Sequence, residues 1–179
     1  ETMIRQKEIE FLSYHDQLTG LYNRRFYEAE LQRIDTPRNL PLSLIMGDVN
    51  GLKLVNDSFG HAMGDELLKK AAATIKKACR TDAVVARLSG DEFVVILPKT
   101  DAAGAEEIIN RIEALARAEK VNTIELSISF GFDTKHDQDE NIQQVFKKAE
   151  DYMYRRKLTE SLGMRSKTVS MVIDTMFDK

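Results

Sequence analysis

The chain has 179 residues, 42% of them hydrophobic and 31% charged, a balance that builds one packed core and excludes the apolar-poor composition of a disordered chain. Lys and Arg number 26 against 29 Asp and Glu, a net charge of −3, so no global positive field draws in a nucleic-acid backbone. No apolar run reaches the ~18 residues that cross a bilayer, and no charged-then-apolar leader opens the chain; a cytoplasmic location without membrane contact is expected.

In chain order, Glu1 to Tyr14 interleaves charges with Ile4, Ile9, Phe11 and Leu12, the narrow apolar stripe of a helix that packs against a partner. A second helix is predicted from Asn23 to Ile34, between the Thr19–Gly20 break and Thr36–Pro37, where proline disfavours helix. Pro41 to Met46 reads as a buried strand aimed at Asp48. Ala62 to Arg80 carries Leu67, Leu68, Ala71, Ile75 and Ala78 at helical spacing. Its Cys79 is the only cysteine, so no intrachain disulfide forms, and it reads as a small buried apolar residue.

Ala83 to Leu88 and Phe93 to Leu97 are β-branched runs around Ser89, Gly90, Asp91 and Glu92, a hairpin signal. Ala102 to Lys120 reads as a helix, Thr123 to Asp133 alternates as a strand, and Asn141 to Leu158 is helical again. After a break at Gly163, helical spacing resumes at Val169, Val172, Ile173 and Met176, equally suited to a connector or to a terminal helix that folds back. This order predicts an α+β fold, a central, mostly antiparallel sheet flanked by helices, of the ferredoxin-like split βαβ kind. Helical patterning at both edges, with Glu1 where an initiator Met would stand, suggests a piece of a longer protein.

The acidic residues suggest a site. Asp48 ends an apolar strand, and Asp91 and Glu92 occupy the tight connection of the hairpin. On neighbouring strands, their oxygens could hold a hard cation such as magnesium together with a substrate's phosphates. Position alone also suits ordinary turn residues held by local hydrogen bonds. A helix starting just past Asp48 would aim the free amides of Gly51 and Leu52 at an anion. Lys53 adds a positive charge, and Asn56 and Asp65 are types that could read a base edge. His15, His61 and His136 form no metal-binding pair, and no Walker-type phosphate loop occurs.

Four stretches, Asp16 to Arg25, Asp48 to Asp65, Arg87 to Phe93 and Ala149 to Lys157, together resemble the GGDEF family of diguanylate cyclases in motif and order. The resemblance implies a sheet related to the palm of nucleotide cyclases and polymerases, in a domain over residues 16–160. It implies that Asp48 and Asp91, with the carbonyl of Val49, hold paired magnesium or manganese ions, with Glu92 close by. Asn56 and Asp65 would bind guanine, with His61 on the same side. The amides near Gly51 and Leu52, with Gly90, Lys53 and Lys157, would hold the triphosphate. The implied reaction joins two GTP molecules into cyclic di-GMP on a homodimer. Residues 1–15 would then be a connector from an upstream sensor. Residues 161–179 would be a helical extension or linker, similar to that of GGDEF domains followed by an HD-GYP phosphodiesterase.

The chain departs from the pattern in several places. Ser89 stands where the motif has its first glycine, which would be strained if the turn needs a positive φ. Asn50 replaces the second aspartate of the usual Asp-x-Asp, and Leu52 replaces an aromatic. The usual Arg-x-x-Asp of product inhibition is here Arg80, Thr81, Asp82 and Ala83, with Asp82 expected to face elsewhere and feedback expected to be weak. Past Lys157 the usual Gly-Arg-Asn is missing. Ser161 stands near the arginine's place, and Arg165 is a candidate replacement. These departures leave a second reading, an impaired domain that senses GTP or regulates a neighbour.

Overall fold

The computed structural model describes residues 2–177; from 161 onward it describes the backbone, and the side chains of Val169, Ser170 and Ile173 only. In chain order the elements are α1 (Thr2–Tyr14), α2 (Arg24–Ile34), β1 (Leu42–Val49), α3 (Leu52–Phe59), α4 (His61–Ala78), β2 (Val84–Ser89) and β3 (Glu92–Leu97). There follow α5 (Ala102–Arg117), β4 (Lys120–Val121), β5 (Ile124–Glu125), β6 (Ile128–Lys135) and α6 (Ile142–Phe177). Four strands form one antiparallel sheet in the order β2-β3-β1-β6, and β4 pairs with β5 apart from it.

β1 lies between β3 and β6, and all of its residues are buried. Helices cover both faces of the sheet, so the strand reads as a nearly continuous apolar run rather than an alternation. Ile45 and Val49 share a core with Leu67 and Ile75 of α4 and with Ile108 and Ile112 of α5. Leu42, Leu44 and Met46 point the other way, into a core with Tyr27 and Leu31 of α2 and Val145, Ala149 and Met153 of α6. The expected α+β architecture is present.

Gly131 of β6 lets α6 rest directly on the sheet. A Cβ there would stand 2.2 Å from Met153 N and 2.3 Å from Ala149 O, which no side chain could occupy. The close approach carries Lys157, four residues past Met153, to the end of β1.

Several boundaries differ from the sequence reading. β1 continues past Met46 to Val49, so Asp48 lies inside the strand. The strand predicted over 123–133 is two strands: Ile124 and Glu125 fold back on Lys120 and Val121 around Asn122, at φ 57°, and β6 begins only at Ile128. Alternation persists through this change of partner, which hides it from spacing. The break at Gly163 is absent, and the backbone is helical from Ile142 to Phe177; an interior glycine costs only about 1 kcal/mol in a helix. The side chains of Ser161 and Arg165 lie outside the described residues.

On α1, Met3, Ile4, Ile9, Phe11 and Leu12 are exposed. The helix is tied to the domain at its C-terminal end, where Asn23 N donates to Tyr14 O and Asn23 Nδ2 to Ser13 O, both at 2.9 Å. Among the described residues, no helix is long and apolar enough to cross a membrane.

Candidate functional site

Asp48, the penultimate residue of β1, stands opposite Glu92 of β3 and Ser129 of β6. Asp91 sits in the turn between β2 and β3, and its carbonyl accepts a hydrogen bond from Val49 N at 2.9 Å. That bond holds the turn against the end of β1, so the two carboxylates converge. Lys157 Nζ lies 2.6 Å from Asp48 Oδ1 and 3.9 Å from Asp91 Oδ2, and donates to Val49 O at 3.3 Å. Burial, with the negative charge of Asp91 adding to it, pushes the Asp48 carboxyl up to about 7 although Lys157 pulls the other way.

Asp48 Oδ1 is buried, and at 2.6 Å the Lys157 ammonium is the charge that faces it. An ammonium stands where a metal ion would be gripped by two carboxylates and the Val49 carbonyl. This donor set fits a hard divalent ion, which takes one or two carboxylates and fills its shell with phosphate oxygens and water. Among the described residues no group of three or more His, Cys, Asp and Glu gathers, which is unlike a closed zinc site.

Beside the carboxylates a cleft of about 410 Å³ is lined by Val49, Gly51, Leu52, Lys53, Leu54, Asp57, Asp91 and Lys157. Its floor is the start of α3. Gly51, the N-cap, has φ 75°, a left-handed conformation that glycine adopts without a Cβ penalty. No side chain caps the helix, and the first amides of a helix have no partners within it, so the cleft meets the partial positive charge of a helix start.

Asn56, Asp65 and His61 lie outside the lining of this cleft, on α3 and α4. Asn56 Oδ1 is buried without a partner and presses on Gly64, where a Cβ would come within 1.8 Å of it. His61 and Asp65 are exposed in the first turns of α4. Glu92 begins β3 and accepts from Ser89 Oγ at 3.2 Å. Gly90 borders a separate cavity of about 420 Å³ with Asp16, Arg24, Arg25 and Arg87.

The structure corrects three expectations. Ser89 is not strained: among the described residues, positive φ occurs at Lys99, Asn122, Gly20, Gly51 and Gly60, and at neither Ser89 nor Gly90. Asp82 does not face away from Arg80. Arg80 Nε bonds Asp82 Oδ1 at 3.2 Å, and Nη2 reaches Pro98 O at 3.2 Å and Thr100 Oγ1 at 2.5 Å, because the turn before β2 brings neighbours two apart face to face. Cys79 is only half-buried, and burial pushes its thiol up to about 11.

The sequence reading missed some residues of the site. Asp57 lines the cleft one helical turn after Lys53, a spacing that could have signalled it. Arg87 was quoted within a motif but given no role. Its Nε and Nη2 donate to Gly90 O at 3.0 and 2.7 Å, gripping the turn that carries Asp91.

The model of the family described as "Diguanylate cyclase, GGDEF domain" matches residues 13–161. The diguanylate cyclase DgcM of Escherichia coli (strain K12) is 32% identical over 158 residues, 85% of this chain and 38% of DgcM. The response regulator PleD of Caulobacter vibrioides (strain NA1000 / CB15N) is 32% identical over 155 residues, 82% of this chain and 34% of PleD. The chain therefore spans little more than a third of these relatives. Among solved structures, the diguanylate cyclase SiaD of Pseudomonas aeruginosa, in complex with its activator SiaC, superposes with a TM-score of 0.76 at 28% identity. The match covers 88% of this chain and 64% of that one. Motifs, sheet order and matched span agree, and the chain belongs to the GGDEF family of diguanylate cyclase domains.

Proposed function

We propose that this chain is a diguanylate cyclase, joining two GTP molecules into cyclic di-GMP with release of two pyrophosphates. The observation that carries this reading is the convergence of Asp48 and Asp91 on one cation position beside a helix-floored cleft. In each half of the reaction a 3′-hydroxyl gives its proton to water and bonds to an α-phosphorus, and the bond from that phosphorus to the bridging oxygen of pyrophosphate breaks. Asp48, Asp91 and the Val49 carbonyl would hold two magnesium or manganese ions, with Glu92 beside them; such ions supply charge neutralisation to both oxygens of the displacement. Lys53, Lys157, Gly90 and the amides at Gly51 and Leu52 bind the phosphates. Asn56 and Asp65 hold the guanine, and the orphaned Asn56 oxygen supports this; His61 lies alongside.

One carboxylate pair beside one cleft serves one GTP, so in this reading the second GTP comes from a second copy and the active form is a homodimer. Residues 16–160 are the catalytic domain, and the exposed apolar residues of α1 suit a connector from an upstream sensor. The uninterrupted α6 suits a link to a downstream domain.

A second reading, a GTP-binding regulatory module without turnover, draws on Ser161 standing where the motif pattern expects an arginine. Protein dimerised through a coiled coil fused ahead of Glu1, given GTP with magnesium or manganese and followed by chromatography, separates the two. Cyclic di-GMP from the parent and none from Asp91→Ala supports the cyclase. Nucleotide binding without product decides for the regulatory module.

A further inference from the structure

Beside the carboxylate pair, a buried polar chain ties the end of β1 to α6. Asn50, just past β1, is fully buried, and its Nδ2 donates to Ser127 Oγ at 3.0 Å and to Ser129 Oγ at 2.9 Å. Ser129 Oγ lies 2.9 Å from Glu160 Oε2 on α6 and 3.2 Å from Asn50 Oδ1. A hydroxyl has one proton, and the charged, nearer carboxylate takes it. The other Glu160 oxygen pairs with Arg156 Nε at 3.2 Å, and Arg156 Nη2 reaches Glu113 of α5 at 3.4 Å.

Ser129 stands directly opposite Asp48 in the pairing of β1 with β6, so this chain and the Lys157–Asp48 contact sit at one level of the sheet. Glu160 follows Lys157 by three residues, and side chains at that spacing share a helix face. Contacts one turn apart on one face fix the rotation of a helix about its axis. Gly131 and the buried Val145, Ala149 and Met153 seat α6 as far as Met153; in the turn beyond, the Glu160 contact with Ser129 lies next to Lys157.

We propose that Glu160 is a positioning residue: its bond to Ser129, backed by Asn50, fixes the turn of α6 at 157–160, past the buried stripe, and so delivers the Lys157 ammonium to Asp48 and Asp91. Two departures from the family motifs meet here, Asn50 and Glu160, the latter in the stretch past Lys157 where the usual Gly-Arg-Asn is missing. An aspartate at position 50 would have no proton to give Ser129 and would add a second negative charge across that hydroxyl from Glu160. Asn50 and Glu160 are therefore matched to each other. The role of Lys157 toward phosphate rests on the cyclase reading, whereas the positioning of its side chain does not.

The test is trace acetylation with acetic anhydride, read by peptide mass spectrometry on the whole chain, with the exposed Lys99 as internal reference. In Glu160→Ala and in Ser129→Ala, Lys157 leaves its carboxylates and reacts about 10-fold faster relative to Lys99, the lower end of the scale of one lost charged hydrogen bond. In Glu160→Gln, which still accepts from Ser129, the rate stays at the parental value. A Lys157 rate unchanged in folded Glu160→Ala, or raised equally in Glu160→Gln, overturns the proposal. Where the dimerised parent makes cyclic di-GMP, Glu160→Ala raises KM for GTP more than it lowers kcat, and adds nothing in a Lys157→Ala background; additive losses overturn the proposal. A parent without turnover counts against the cyclase alone, because the acetylation result stands apart from it.

Discussion

Arg87 places Nη1 3.2 Å from both carboxylate oxygens of Asp16. Asp16 opens the turn after α1, and its other partners are the Thr19 amide at 2.9 Å and the Thr19 hydroxyl at 2.7 Å. Since Arg87 also holds the Gly90 carbonyl, one guanidinium joins the end of the N-terminal helix to the turn that carries Asp91. Whatever moves α1 thus bears on a carboxylate of the site through two contacts.

The ion pair carries a pH signature. Burial raises the Asp16 carboxyl, but the Thr19 hydrogen bonds and the Arg87 charge outweigh it, and the group sits below its ordinary 3.8. A lowered carboxylate contributes stability above its unfolded value and loses it as the pH falls through its folded value. Asp16→Asn is expected to cost about 1–2 kcal/mol in urea unfolding at neutral pH. The gap to the parent should shrink below pH 3.8. A gap of constant size from neutral to acid pH would show that the charge is not what stabilises this turn.

How much of this was legible in the sequence depended on which force shaped each element. The buried strands were legible because a strand covered on both faces must be apolar throughout, and Asp48 stood out as the charge at the end of such a run. The hairpin was legible for the same reason, with Asp91 marked by the turn chemistry between β2 and β3. Hidden from sequence were contacts that depend on two distant segments meeting, such as Arg87 with Asp16 or Ser129 with Glu160. Arginine, serine and glutamate are ordinary surface residues until the fold removes water from around them. The β5 to β6 change of partner was hidden too, because side-chain alternation is blind to which strand lies alongside.

The seat of α6 predicts opposite outcomes at two glycines. Gly131→Ala puts a methyl 2.2 Å from Met153 N and 2.3 Å from Ala149 O. Both are backbone atoms of a packed helix and cannot rotate away, so α6 must lift. A loss of about 1–3 kcal/mol is expected, with cleft function falling along with stability as Lys157 withdraws. Gly90→Ala meets nothing within 4 Å and has no positive φ, so thermal unfolding should stay within about 0.5 kcal/mol of the parent. Equal losses at both positions would remove the argument that α6 lies on bare backbone.

Arg80 predicts the response to product. Its guanidinium is held by Asp82, by the Pro98 carbonyl and by Thr100, and Ala83 stands where the inhibitory motif has its acid. An arginine tied on several sides must break those bonds before it can grip a guanine or a phosphate. Added cyclic di-GMP is therefore expected to leave the initial rate of the dimerised protein unchanged. Non-competitive inhibition that Arg80→Ala relieves would mean that the arginine is freer than its contacts imply.

Ser89→Gly restores the family's first glycine and tests whether this departure limits the chemistry. Glycine would help if the position needed a positive φ or lacked space, and neither holds: Ser89 has no positive φ although the β2–β3 register shifts between Arg87 and Ser89, the residue is exposed, and its hydroxyl donates to Glu92. The substitution removes that hydrogen bond and adds backbone freedom to the unfolded chain, costing about 0.5–1 kcal/mol at a strand end. Turnover of GTP should change by less than about 3-fold, under 0.7 kcal/mol in the barrier. A gain of tenfold or more would place the bottleneck at this side chain, and the nucleotide would then have to pass closer to Ser89 than the cleft beside Gly51 suggests.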